Sequence, residues 1–110
     1  MQDSEIQQIE ATIEELQAKV DLADALDRLH KNRDFKKILL TGFFTDRAVE
    51  LAKSASQASI SETSAKIHSN ALIAISGVQG YFNAIYQEGA GAAQSIEEHN
   101  ALISGVRADG

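Results

Sequence analysis

The chain has 110 residues, of which 44% are hydrophobic and only 5% aromatic, with a formal net charge of −6, no proline and no cysteine. That length allows one domain, 1–110. The missing cysteines exclude a disulfide frame and a thiolate zinc site, and the negative charge opposes general nucleic-acid binding, which depends on Lys and Arg displacing counterions. With no proline to interrupt helices, and with Ala, Glu, Gln and Leu plentiful, the composition predicts an all-α fold whose core is mainly aliphatic. The opening MQDSEIQQIEA has neither the basic nor the apolar segment of a secretory signal. No apolar run approaches the roughly 20 residues that cross a bilayer, so a cytosolic type of protein with no membrane partner is expected.

Asp3 and Ser4 are both good helix N-caps, and acids follow in the first turn, where the helix dipole favours them. Ile6, Ile9, Ile13, Leu16, Val20 and Ala23 then repeat in an unbroken 3-4-3-4-3 spacing, the pattern of a coiled-coil seam. Beyond Val20 the apolar stripe shifts to Leu22, Leu26 and Leu29, as for a helix lying on a globular core. A helix over about 4–31 is expected, with 4–23 as a coiled-coil arm for a partner. Pairing of that seam with a second helix of the same chain satisfies the pattern equally well. Residues 1–30 hold eight acids against Lys19 and Arg28, and residues 31–53 hold six bases against Asp34, Asp46 and Glu50. Opposed blocks of this kind suit packing between copies, although two ordinary solvated faces account for them too.

His30 to Asp34 forms a polar break, after which Asp34 is expected to cap a short helix over about 35–41. Gly42 is placed as its C′ residue, since glycine enters the left-handed conformation without steric cost. Thr45 is then expected to cap a helix over about 46–54, with Phe44 and Val49 at the two positions of a hydrophobic staple. The corner superficially resembles a helix-turn-helix, but DRAVELAKSAS offers few side chains for reading bases. Residues 54–60 form the linker, and Ser59 with Glu62 fits a capping box.

Ile60, Ser64, Ile67, Ala71, Ala74, Val78, Tyr81 and Ile85 follow a second heptad seam, with Leu72, Ile75, Phe82 and Tyr86 beside it. Two adjacent stripes predict a helix buried on a wide face over about 60–87. Ala71, Ala74, Gly77 and Gly80 would let another helix approach closely. Gly89 and Gly91 mark a stop or hinge before a last helix over about 92–104, which carries Ile96, Leu102 and Ile103 on one face. Gly105 begins a frayed tail, 105–110. The expected architecture is two long helices joined by a short helix–Gly–helix corner, plus a C-terminal helix, in a bundle of partial coiled-coil character.

Few residues invite chemistry. His30, His68 and His99 lack metal-ligand spacing. Glu14–Glu15 and Glu97–Glu98 are neighbours that point about 100° apart on a helix, so they form no carboxylate dyad. No serine stands in G-x-S-x-G, and Gly-Ala-Gly at 89–91 lacks a phosphate-binding fingerprint. Tyr81, Phe82 and Tyr86 read as core packing rather than as a ligand cluster. No catalytic, cofactor-binding or metal residue is assigned, and a non-enzyme is expected.

KNRDFKKILLTGFFTDRAVELA, residues 31–52, resembles a recurrent segment of small phage-encoded helical proteins. Asp34-Phe35-Lys36-Lys37, Gly42, Phe44, Ala48-Val49 and Leu51 carry the match. The layout extends over about 5–100, and it departs from the pattern at 53–65, where a Ser/Ala-rich segment replaces a more charged one. The resemblance implies a virion-associated or accessory protein and supplies no catalytic residue. The expected function is therefore a non-enzymatic structural or assembly protein of a tailed phage, located in the virion and in the host cytoplasm before assembly. Its partners would be itself, as a homo-oligomer or multi-copy component, and capsid, portal or tail proteins. Ile6, Ile9, Ile13, Leu16, Val20, Lys36 and Lys37 form the expected interface. The alternatives are a small acidic regulator that presents its first helix to an enzyme's basic groove, and an assembly chaperone that leaves the finished particle.

Overall fold

The computed structural model describes residues 3–57 and 59–109, with side chains as far as Arg107. Ala58 in the expected linker, Gly110 at the end of the expected tail, and Met1 and Gln2 lie outside the described residues. The elements are α1 (Asp3–His30), α2 (Arg33–Phe35), the π-helical π1 (Lys36–Arg47), α3 (Ala48–Ala55) and α4 (Glu62–Asp109). No strand occurs among the described residues, and the fold is all-α, as the composition predicts.

Two short breaks punctuate the helices, and each is capped two residues away from the expected position. At the first, Asn32 rather than Asp34 is the cap. Its backbone is extended (φ −70°, ψ 129°), and its side-chain oxygen accepts from the Phe35 N–H at 2.9 Å. Asp34 already lies inside the first helical turn, so only Asn32 has the geometry to satisfy an orphan N–H. At the second, the Ser61 hydroxyl accepts from the Ser64 N–H at 3.1 Å and caps α4, in place of the expected Ser59.

The expected helix–Gly–helix corner is instead one winding that passes from α2 through π1 into α3 without a turn. Gly42 does not enter the left-handed region, and Thr45 caps nothing. The Thr45 hydroxyl donates to the Leu40 carbonyl, five residues back, at 3.2 Å. A physical reason for the π-winding lies in the apolar spacing. At 100° per residue, Phe35, Leu40 and Phe44 would spread over about half of an α-helix's circumference. With roughly 4.4 residues per turn, a π-helix brings the three within about 50° of one another. Phe35 and Phe44 then converge on Phe82, with ring centroids at 6.2 and 5.7 Å. Val49, the expected staple partner of Phe44, is 48% exposed.

The second long helix and the expected C-terminal helix are a single helix of 48 residues. It passes Gly89, Gly91 and Gly105 without a break and reaches Asp109. Its half-buried and buried residues run through His68, Ala71, Ile75, Val78 and Phe82, then Ile85, Gly89, Ala92, Ile96, His99, Ile103 and Val106. This line keeps a 3-4 alternation and runs between the two stripes read from the sequence. Ile67 and Tyr81, expected on the first stripe, are 62% and 60% exposed, and Leu102, expected on the core face, is 53% exposed.

The chain forms two compact units whose boundaries fall inside α1 and α4. The first joins α1 as far as Leu26 with α4 from Ala84. The two helices run antiparallel here, because Lys19 and Ala23 lie against Gly89 while Glu10 reaches Arg107 at 3.3 Å. Leu26, Ile85, Ala92 and Ile103 are its buried apolar residues. The second unit, Asp27–Asn83, is centred on Leu51, Ile75 and the half-buried ring of Phe82. His30 meets that ring edge-on, at 5.7 Å and 78°.

Candidate interaction surface

Ile6, Ile9, Ile13, Leu16 and Val20 are all half-buried, while Glu10, Glu14 and Glu15 between them are exposed. The seam that a partner was expected to cover thus lies against α4 of the same chain. Ala23, its last member, packs so closely there that a Cβ added to Gly89 would stand 2.5 Å from the Ala23 Cβ. Gly89 is needed for space and not for a backbone turn. Lys36 and Lys37 are exposed on π1 in the other unit, so the structure does not place all seven expected interface residues in one unit. Among the described residues neither lysine has an ion-pair partner.

π1 carries an apolar groove of about 420 Å³, lined by Ile38, Leu39, Gly42, Phe43 and Arg47. Ile38 is 70% exposed there, and Arg47 pairs with Glu50 at 3.5 Å. A second groove of about 330 Å³ lies between Leu40, Phe44 and Phe82, with His30, Gln79 and Asn83 at its polar side. Further along the same unit, α4 exposes Ile67, Ile73 and Tyr81. Gly77 and Gly80 beside them have nothing within 4 Å of an added Cβ. A helix could lie close to this face without displacing any side chain of the chain itself.

The three histidines are held in different settings. His30 packs among aromatic rings, and His68 is half-buried on the line of α4. His99 donates from Nδ1 to the Ser95 carbonyl at 2.7 Å, which fixes the tautomer with the proton on Nδ1. Among the described residues no three His, Asp or Glu side chains come together as a metal site.

The grooves on π1 escaped sequence reading because a 3.6-residue period was assumed. The signal was present in the spacing of Phe35, Leu40 and Phe44 on one face, and of Ile38, Phe43 and Arg47 on the other, each with steps of five and four. No known protein family, curated protein or solved structure shows significant similarity to the chain.

Proposed function

We propose that the chain is a non-enzymatic structural or assembly protein of a tailed bacteriophage particle, docking through helical faces to itself or to capsid, portal or tail proteins. One observation carries the docking role. Among the described residues of 27–83, six large apolar side chains are exposed (Leu29, Ile38, Val49, Ile67, Ile73 and Tyr81), nine are half-buried, and Leu51 and Ile75 are buried. Single exposed apolar residues are ordinary, but six in one small unit, three of them on α4 and one in the groove of π1, suit docking to a partner. The resemblance of residues 31–52 to phage-encoded helical proteins supports the setting.

The test is recovery of tagged chain from phage-infected cells, with its companions read by mass spectrometry. Capsid, portal or tail proteins among them support the proposal, and presence in purified particles distinguishes a component from a chaperone. A specific observation favours the acidic regulator as the second reading. All eight acids of residues 3–27 are exposed, and only Glu10 and Asp27 among them are ion-paired. That role predicts recovery of an enzyme, with binding that weakens steeply as salt rises.

A further inference from the structure

The boundary between the two units also divides the charge. Residues 1–26 and 84–110 hold eleven Asp and Glu against Lys19 and Arg107, a net of −9. Residues 27–83 hold eight Lys and Arg against five acids, a net of +3. The first unit is thus a strongly acidic helix pair whose members repel each other across their own surface, and Glu10–Arg107 is the one ion pair found between its helices among the described residues. The second unit is basic, and it is also the one with more large apolar side chains exposed than buried.

Within the basic unit, the segment from α2 into π1 carries both properties. Arg33, Lys36 and Lys37 are exposed and have no ion-pair partner among the described residues. The same unit carries the apolar groove at Ile38, Gly42 and Phe43, with Arg47 in its lining. On the acidic unit, Glu14 and Glu15 project from α1, and Glu97 and Glu98 from α4, all exposed and none ion-paired. Ala11 and Ala18, exposed on α1 next to Glu14 and Glu15, leave that helix slim enough to seat in a shallow groove.

We infer that copies of this chain associate head to tail, the acidic helix pair of one copy seating on the basic, apolar segment of α2 and π1 in the next. This deepens the docking role proposed above, rests on it, and names a second copy as the occupant. Each chain carries both halves of the contact, so the pairing either closes into a ring or extends as a filament. Opposite charge steers the approach and sets which faces meet, while Ile38 and Phe43 supply the apolar contact.

Sedimentation velocity on the purified full chain tests this, with circular dichroism confirming that each variant is helical. The wild type is expected to associate at about 50 mM salt, and about tenfold more weakly at about 500 mM. K36E/K37E turns the basic unit from +3 to −1 and is expected to weaken self-association by about tenfold or more. E14K/E15K/E97K/E98K, which turns the acidic unit from −9 to −1, should do the same. Mixing the two variants should restore association, since the unaltered acidic unit of the first, at −9, then meets the unaltered basic unit of the second, at +3. A wild type that is monomeric at about 200 μM overturns the inference and leaves the role in the particle intact. Unchanged association in either variant, or no rescue on mixing, overturns it as well. Loss of particle proteins from the infected-cell recovery, with self-association intact, would instead contradict the phage role alone.

Discussion

Gly89 and Gly77 are the same residue in the same helix, and the structure gives them opposite roles. A methyl group at position 89 would meet the Ala23 Cβ at 2.5 Å and the Lys19 carbonyl at 3.3 Å, neither of which is the free end of a flexible chain. Gly89→Ala is therefore expected to destabilise the chain by about 1–3 kcal/mol, read as a lower thermal midpoint by circular dichroism. Adding Ala23→Gly should recover part of that loss by reopening the space. Gly77→Ala and Gly80→Ala meet open space and should stabilise the isolated chain by up to about 1 kcal/mol each. If either glycine lies under a partner helix, the same substitution would weaken docking even as it raises the melting temperature. Asn32→Ala removes the cap on α2 and should cost about 1 kcal/mol. None of this ranking was legible in the sequence. A glycine at a break and a glycine at a close approach look alike until the facing residue is known, and Ala23 lies far from Gly89 along the chain.

At the scale of elements, the first helix was legible as far as Ala23, but Leu22 and Leu29, expected on the core face with Leu26, are exposed, and the middle of the chain was not legible. The 3-4 spacing from Ile6 to Ala23 fixed the buried face of α1 correctly, because one regular stripe on a long helix leaves a single way to bury it. What the stripe could not reveal was its partner, and α4 supplies it from the same chain. Ile13→Asp with Leu16→Asp is therefore expected to unravel the helix pair itself, at a cost on the order of 3 kcal/mol or more, read by thermal unfolding. Unchanged stability would show that the seam contributes nothing within the chain and is free for another. Along α4 the sequence showed two stripes, and the buried line takes Ala71 and Val78 from one and Ile75 and Phe82 from the other. In π1 the difficulty was the period. π-helices usually occur as single turns, so a stretch of 12 residues is not an expectation any local rule supplies. Leu40→Ala should loosen the aromatic cluster around Phe82, because Leu40 lines the same groove as Phe44 and Phe82. The expected outcome is a destabilisation on the order of 2 kcal/mol, measurable by chemical denaturation.

For the whole molecule, the sequence showed an acidic beginning and a basic middle, but not that the C-terminal part of α4 joins the acidic side. That grouping depends on the antiparallel pairing of α1 with α4, which brings Glu88, Glu97 and Glu98 into the same unit as the acids of α1. The proposed docking face lies on the unit 27–83, and the proposed role is in a phage particle. Tagged wild type and an Ile38→Asp/Ile73→Asp variant, both positions being exposed, separate that face from the fold. The measurement that bears most directly on the claim is their recovery from phage-infected cells, compared by quantitative mass spectrometry. Wild type is expected to bring down capsid, portal or tail proteins, and the variant, folded and expressed equally, at least about tenfold less. Recovery of the same proteins in equal amount by the variant would contradict the docking face. Recovery of a host enzyme alone would contradict the structural role and favour the acidic regulator.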